Sequence, residues 1–555
     1  MRQLHSPQEA AQWLHARVQG VLHTDSRRIS PGDGFIAWPG AASDGRRHVA
    51  GALRQGARAC LVEHQGVETF QQDFQDALQG AFQGAIQSSI QDAKAQGVSV
   101  EMTEPQALAS YTDLKAASGP IAAAYYEEPS RALDVLAITG TNGKTSTAWW
   151  LAHALGRLSQ RCALVGTLGV GEVGQLEVTG MTTPDPVLLQ ARLRDMVTQG
   201  VQACAIEASS IGLAEHRLDG TQVRLALFTN FTQDHLDYHV SMADYWQAKV
   251  ALFDWPGLQA AVVNTDDAHG AQLAQQLSRR QDLVVWTVGI ATDTAELNTA
   301  ELNTAESDTT HSDTTHLDTP PPNRVHHVQA KNLRHGARGL SFDVVESEHR
   351  HTLETSLVGH YNVSNVLGVF AALRALGHSF ADAVQACADL PPVPGRMQAL
   401  GDSHQPLVLV DYAHTPDAVA QALNALRPLV SARGGSLVCV LGCAGDRDSA
   451  KRPLMAAAAE QYADQVVLTS DNPRSEDPQS ILAHMLDGMA RREAVKQIAD
   501  RAQAIACAVR DASARDVVLV AGKGHEDYQE VQGVKLPFSD VQQVQAALLQ
   551  WRAHA

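Results

Sequence analysis

Short apolar runs alternate with polar, helix-patterned stretches along most of the chain. DVLAITGTNGKT (134–145), ACAIEASS (203–210), LALFTNFTQDH (225–235) and AAVVNTDD (260–267) each begin as a β-rich run and break into a Gly-, Asn- or Asp-containing turn. After the Pro-rich LPPVPGR (390–396) the alternation resumes in LVLVDYAHTPD (407–417), LVCVLGCAGDRD (437–448), DQVVLTSDNPRSEDP (464–478) and DVVLVAGKGHED (516–527). Strand–loop–helix alternation predicts βαβ units and parallel sheets. A smaller α/β region opening with HTDSRRISPGDGFIAWPG precedes residue 128. The fold class is therefore α/β with three domains, 1–128, 129–393 and 394–555, and linkers near Tyr126–Arg131 and Pro391–Gly395.

Two segments read as insertions. Residues 65–97 are rich in Gln and Ala, with spacing that permits a weakly amphipathic helix. Residues 291–319 repeat TAELN and DTTH and hold few large apolar side chains, so ordering them would not recover its entropy cost. That composition predicts a disordered surface loop.

The last domain has a regularity. Each of its apolar runs is followed at once by acidic, His, Arg or Gly residues: DYAH, GCAGDRD, SDNPR and GKGHE. In open parallel sheets ligands bind beyond the carboxyl ends of the strands, so these four turns line one crevice.

Composition narrows the setting. Lys and Arg number 43 against 61 Asp and Glu, a net charge of −18, which disfavours unaided binding to nucleic acid or anionic lipid. Seven scattered cysteines without a C-x-x-C pair argue against a disulfide framework or a thiolate zinc site. No apolar run approaches the ~20 residues that span a bilayer, and the N-terminus lacks a signal-peptide core. The expected setting is the cytosol.

The sharpest chemistry is ITGTNGKTS at 138–146. In a phosphate site, Gly140 and Gly143 let backbone N–H groups approach an anion, with Thr141, Asn142 and Ser146 completing the loop. Lys144 neutralises the β/γ-phosphates, the Thr145 hydroxyl ligates Mg²⁺, and the following helix points its positive end at the anion. The loop is G-x-x-G-K-T, shorter than the full P-loop pattern. It nevertheless predicts ATP binding and a P-loop ATPase-like central sheet, followed by a Rossmann-like C-terminal domain.

This compact loop resembles that of the Mur ligase superfamily, and the rest of the chain extends the resemblance. Thr182-Thr183-Pro184, EASSIGLAEHR (207–217), TNFTQDHLDYH (229–239), YWQAKVALF (245–253), GHYNVSN (359–365), PGR (394–396), DYAHTPD (411–417), GDRD (445–448), DNPR (471–474) and GKGHE (522–526) follow in family order. The match is closest to the MurE type, which extends UDP-MurNAc-L-Ala-D-Glu by the third stem-peptide residue. The resemblance implies an ATP-dependent, amide-forming ligase of peptidoglycan precursor synthesis that works through an acyl phosphate. Its products are ADP and phosphate, its setting the bacterial cytoplasm and its state a monomer.

The same resemblance implies site residues. Glu207 and His235, with Thr145, bind Mg²⁺, two ions in all. Lys249 is carbamylated by CO₂, turning a cation that would repel the metal into an anion; a helical lysine is otherwise a solvated surface residue, so this rests on the resemblance alone. Thr24, Ser26 and the loop Ala41, Ala42, Ser43 flank the uridine. Thr182, Thr183, Ser209, Glu215 and Arg217 contact the sugar-peptide. His360, Asn362, Asn365, Arg396 and Asp411 lie near adenine, ribose and phosphates. Two positions depart from the family: Ile211 stands where His is usual, and Glu215 where Gln is usual, putting a carboxylate near an anionic substrate. Either its pKa is raised or it turns away.

The incoming amino acid falls to the last domain. A guanidinium grips a carboxylate bidentately and an aspartate holds an ammonium. Asp471, Asn472, Pro473 and Arg474 thus suit meso-diaminopimelate, whose side chain ends as an amino acid, better than L-lysine. Arg447, Gly522 and Glu526 complete that pocket in the family. The rival readings are a lysine-adding homologue, folylpolyglutamate synthase and a catalytically silent nucleotide-binding scaffold.

Overall fold

The computed structural model describes residues 1–40, 43–79, 107–236, 238–291, 325–336, 339–355, 357–388, 390–402 and 404–554. Ala41, Ala42, most of segment 65–97 and nearly all of 291–319 lie outside the described residues. Two compact units result: Met1–Ala137 with Gln160–Arg224 and Ala251–Leu258, and Ile138–Ser159 with Leu225–Val250 and Gln259–Ala555.

The first unit opens on a five-stranded, wholly parallel sheet. Its order is Arg2–Leu4, Leu108–Tyr111, Ala59–Glu63, Gly34–Ala37, Leu22–His23. Its inner strands Gly34–Ala37 and Ala59–Glu63 are buried on both faces, and Glu63 is the one polar residue in them. Ile36, Leu61 and Ala109 pack under the helices Pro7–His15 and Leu114–Tyr125, while Phe35, Cys60 and Val62 face Val49 and Leu53. The start of the Gln-rich segment belongs to this core. Residues 71–79 are helical, Phe74 and Ala77 are buried in the same cluster, and Phe70 stacks on Phe74. Elsewhere in this unit Cys162–Gly166 runs parallel to Ala203–Glu207 and antiparallel to Gly169–Glu172.

In the second unit, Leu225–Phe228, Ala260–Asn264, Val284–Ile290 and Val325–Gly336 form a parallel run, extended by the antiparallel strands Gly339–Glu346 and His349–Glu354. The C-terminal sheet has the order Gln398–Leu400, Leu407–Asp411, Val517–Ala521, Leu437–Cys443, Gln465–Ser470, Lys496–Gln497, parallel except for its first member. Alternate residues face opposite ways. Leu409, Leu441 and Leu468 meet the helices Pro416–Arg433, Lys451–Tyr462 and Pro478–Leu486, whereas Val410, Val440 and Val520 meet Arg501–Asp511 and Asp540–His554. Because the four central strands are parallel neighbours, their carboxyl ends share one edge, as the runs of charged turns predict. A separate hairpin, Tyr528–Val531 with Val534–Pro537, follows the last of these turns.

No described helix is long and apolar enough to cross a membrane. None of the seven cysteines is in a disulfide; six are buried and Cys507 is partly exposed.

Candidate active site

The strand Asp134–Thr139 delivers Gly140–Gly143 to the N-terminus of the helix Lys144–Arg157. Two glycines make the loop possible: Gly140 and Gly143 have φ of 143° and 86°. A Cβ on Gly140 would run into the Thr229 hydroxyl, and one on Gly143 would lie 2.6 Å from Asn365 Oδ1. The loop is pinned from the neighbouring strand's turn. Thr141 N donates to Asn230 O (2.8 Å), Asn142 N to Asn230 Oδ1 (2.9 Å), and Thr229 Oγ1 to Asn142 O (2.6 Å). Asn365 in turn donates to Asn362 Oδ1 (3.3 Å), and Asn362 to Val358 O (2.8 Å) on the helix headed by exposed His360. Thr145 and Ser146 are buried in the first helical turn.

Lys144 folds back, its Nζ donating to Gly140 O and Thr141 O, both at 2.8 Å. Lys249, the last basic residue of Met242–Val250, is 1% exposed, and its Nζ donates to Gly140 O at 2.9 Å. It sits 4.2 Å over the Tyr245 ring, whose hydroxyl is 3.1 Å from Thr141 Oγ1. Burial, reinforced by the Lys144 charge, pushes the Lys249 amine well below the usual lysine range. His235 adopts the left-handed region, φ 53°, with its N–H on Asp234 Oδ1 (2.9 Å). Such conformations are costly for a residue with a side chain and cluster at functional sites.

Arg396 follows Gly395, whose φ is 64° and whose hydrogen faces the backbone of Gly524 and His525 closely enough to leave no room for a Cβ. The Arg396 guanidinium lies 4.3 Å over Tyr412, and its Nη2 donates to Thr145 Oγ1 at 3.3 Å. Asp411 accepts from Met397 N (2.7 Å) and Ala413 N (2.8 Å); burial raises its carboxyl while Arg396 opposes the rise.

The crevice of the C-terminal sheet holds a tight charged cluster. Asp471 and Asn472 are buried at the end of Gln465–Ser470. Gly522, φ 119°, lets Asp471 Oδ2 approach to where a Cβ would stand 2.5 Å away. Asn472 Nδ2 donates to Glu526 Oε2 (2.8 Å). Lys523 is fully buried and donates to Asn472 Oδ1 (3.0 Å) and Glu526 Oε2 (2.8 Å), with Asp471 at 3.9 Å. Burial raises Asp471, opposed by Lys523 and Arg501, whereas Glu526 is held below the usual carboxylate range: burial is the largest single effect and works against this, but the charge and hydrogen bond of Lys523, the Asn472 hydrogen bond and the His525 charge together outweigh it. Beneath lies a wholly buried Arg501–Asp540 pair at 2.7 Å, and Arg501 also donates to Ser470 O (3.2 Å) and Ala521 O (3.0 Å), tying two strand ends together. Arg474, φ 52°, donates Nη1 to Gly445 O (2.8 Å). Pro473 O accepts from Glu476 N (3.0 Å). Arg447 is exposed on its turn and takes no hydrogen bond among the described residues.

In the first unit, Glu207 is buried and accepts from Thr167 N (2.7 Å) and Thr167 Oγ1 (3.3 Å). Thr167 also meets Thr182 at 3.1 Å. Thr183 Oγ1 donates to Glu207 O (2.7 Å) and lies 3.0 Å from Ser209 Oγ, which caps the helix Ser210–Ala214. Arg217 Nη1 donates to Thr183 O (3.0 Å). The Glu215 carboxylate has a counter-charge in Lys115 Nζ at 2.7 Å. A cavity of about 160 Å³ is lined by Leu22, His23, Thr24, Asp25, Asp185 and Leu188. Thr24 bonds Asp185, whose carboxyl burial pushes up. Ser26 starts the turn beside it, and Ser43 is exposed, its carbonyl accepting from Gly40 N (2.9 Å).

Sequence reasoning missed Lys523, Arg501, Asp540 and Lys115. Lys523 stands inside GKGHE and was within reach; the others meet their partners only through the fold.

The models of the Mur ligase family catalytic domain, the Mur ligase middle domain and the Mur ligase glutamate ligase domain match residues 20–115, 138–373 and 395–524. A relative from Acidovorax sp. (strain JS42), named UDP-N-acetylmuramoyl-L-alanyl-D-glutamate--2,6-diaminopimelate ligase, is 52% identical over 98% of this chain and 97% of its own. The chain belongs to the Mur ligase family. A same-named relative from Pseudomonas aeruginosa is 40% identical over 96% of this chain and 95% of its own. A solved Mur ligase of that name superposes with a TM-score of 0.59 at 31% identity, covering 96% of this chain and 95% of that one. Mycobacterium tuberculosis folylpolyglutamate synthase shares the fold alone, with a TM-score of 0.55 at 18% identity over 74% of this chain and 92% of its own. The family's three-domain α/β architecture is therefore this chain's, and Mur ligases use ATP and Mg²⁺.

Proposed function

We propose that this protein is an ATP-dependent ligase that joins meso-diaminopimelate to the D-Glu γ-carboxylate of UDP-MurNAc-L-Ala-D-Glu in peptidoglycan precursor synthesis. The carrying observation is the cluster at the C-terminal crevice. Two carboxylates, Asp471 and Glu526, share the single buried Lys523, leaving net negative charge for an ammonium, while Arg474 stands on the adjacent turn for a carboxylate. A side chain ending as an amino acid satisfies both; L-lysine offers Arg474 nothing.

The γ-phosphoryl group passes from ATP to the substrate carboxylate, giving an acyl phosphate and ADP. The free amine of diaminopimelate then attacks the acyl carbon and expels phosphate. Phosphoryl transfer between two anions depends on positioning and charge neutralisation. Gly140–Gly143 cradle the phosphates, Lys144 neutralises them, and Arg396 adds charge beside Thr145. His360, Asn362, Asn365 and Asp411 bound the nucleotide end. Thr24, Ser26, Thr182, Thr183, Ser209 and Arg217 hold the UDP-sugar-peptide.

Among the described residues no group of three or more His, Cys, Asp or Glu stands ready to hold a metal by itself. That fits Mg²⁺, which arrives largely on substrate phosphates and takes few protein ligands. The Thr145 hydroxyl, Glu207 carboxylate and His235 imidazole would hold it, with two ions in all, and Mg²⁺ supplies neutralisation of the transferring charge. Lys249 suits carbamylation: it is buried, its amine is pushed well below the usual lysine range, and only a neutral amine adds CO₂. Seven cysteines without a disulfide accord with a reducing cytoplasm. The protein acts as a monomer in this reading.

ADP release measured with each amine tests the proposal. Turnover is expected with meso-diaminopimelate and far less with L-lysine; equal turnover would defeat the pocket, and no release with any amine would favour a silent scaffold.

A further inference from the structure

The hairpin after GKGHE grips the turn that carries Arg474. Gln529 Nε2 donates to Asp471 O (2.7 Å), and Glu530 N donates to Asn472 Oδ1 (2.9 Å). Arg474 N donates to Glu530 O (2.9 Å), and Gln532 N to Arg474 O (2.6 Å). These two backbone bonds hold Arg474 in the left-handed region, where side-chain-bearing residues rarely stay unaided.

The side chain is oriented as well. Arg474 Nε faces Glu530 Oε2 at 3.4 Å, and Nη1 donates to Gly445 O at 2.8 Å. Nη2 takes no hydrogen bond among the described residues. Both partners are about three-quarters buried, at 21% and 25% exposure, so the pair is shielded better than a surface ion pair. A guanidinium is planar and rigid, so fixing its Nε edge fixes the direction of its opposite, Nη edge.

We propose that Glu530 is a specificity-determining positioning residue. It holds the Nε edge of Arg474 so that the Nη edge meets the distal carboxylate of the diamino acid. This rests on the reading of Arg474 as that carboxylate's partner. Glu530 touches no reacting atom; it acts through Arg474, by restricting a flexible side chain before the substrate arrives.

The test is a double-mutant cycle on the full chain. Glu530→Gln preserves shape and every backbone bond of the hairpin. It should raise KM for meso-diaminopimelate roughly three- to tenfold while KM for ATP and kcat change less than about twofold. The preference for meso-diaminopimelate over L-lysine, as the ratio of kcat/KM values, should fall by the same factor. In an Arg474→Ala background Glu530→Gln should add almost nothing. Glu530→Asp, which keeps the charge, should fall between wild type and Glu530→Gln. A strong effect of Arg474→Ala with none of Glu530→Gln overturns the role of Glu530 alone. So does full additivity in the cycle, or a KM for Glu530→Asp as high as that of Glu530→Gln. An Arg474→Ala variant with unchanged KM for meso-diaminopimelate removes the underlying reading, and the proposal with it.

Discussion

Lys144 and Lys249 donate to one acceptor, the carbonyl oxygen of Gly140, at 2.8 and 2.9 Å. Two amines on one carbonyl, one of them buried, cannot both hold a proton comfortably. Of the two it is Lys249 whose amine is pushed down, by burial first and the Lys144 charge second. Its folded-state pKa lies below 10.5, so between the two values the unfolded chain binds a proton that the folded chain does not. Stability then rises with pH across that window. Lys249→Met should be inactive, and in CO₂-free buffer its melting temperature should lack the part of the wild-type rise seen as pH climbs towards the unfolded value of 10.5. Parallel melting curves for the two proteins at every pH would refute the shift. Lys249→Ala should regain part of its turnover with added short carboxylates.

Glu476 shows the opposite sign. It takes Arg452 through both oxygens, at 2.9 and 2.7 Å, and the guanidinium is 1% exposed. Hydrogen bonding by Arg452 lowers the carboxyl from 4.5 to about 2. A depressed carboxyl stabilises the fold above its unfolded pKa, and the contribution fades as pH falls from about 4.5 to about 2. Glu476→Gln should cost about 1–3 kcal/mol at neutral pH by leaving Arg452 without its counter-charge. Urea midpoints of the two proteins should converge on acidification; a constant difference would count against the pairing.

Gly522→Ala should separate the two halves of the reaction. Gly522 holds φ 119°, and the added methyl would press on Asp471 Oδ2 from 2.5 Å. We expect KM for meso-diaminopimelate to rise by at least ~tenfold while KM for ATP stays near wild type. Matched rises in both would place Gly522 outside the amino-acid pocket.

The Lys115–Glu215 pair predicts a rescue. Lys115→Met removes the Lys115 counter-charge from Glu215, two residues before Arg217, and should weaken UDP-MurNAc-dipeptide binding. Adding Glu215→Gln removes the stranded charge and should restore most of the loss. Failure of the double variant to recover, measured by calorimetric titration, would show that Lys115 acts elsewhere.

The sequence made the repeated strands legible because each is a continuous apolar run buried on both faces, and the phosphate loop legible because its glycines are local necessities. The turns of the C-terminal crevice were equally open to reading, since parallel order alone aligns their ends. What sequence could not supply is contact across distance. Arg501 meets Asp540 from 39 positions away, and Lys115 meets Glu215 from 100. The hairpin Tyr528–Pro537 carries no apolar run to announce it; its hold on Asp471–Arg474 lies in backbone and amide hydrogen bonds that leave no compositional trace. Lys249 is the sharpest case: a helical lysine reads as solvent-facing until the fold seals it beneath Gly140. Phe74 and Ala77 show the reverse, apolar spacing inside a Gln-rich stretch that earned a place in a core.

The distribution of thiols has a practical corollary. Six of the seven are buried, and Cys507 alone is partly exposed, on the helix Arg501–Asp511 that covers the C-terminal sheet. Burial and the Asp511 carboxylate raise its pKa, so the reactive thiolate is scarce at neutral pH. Under mildly alkaline conditions a maleimide dye should mark that one position on the native enzyme. The C-terminal sheet thus comes with its own fluorescent reporter site, and its surroundings could be followed during turnover without first stripping any cysteine from the chain.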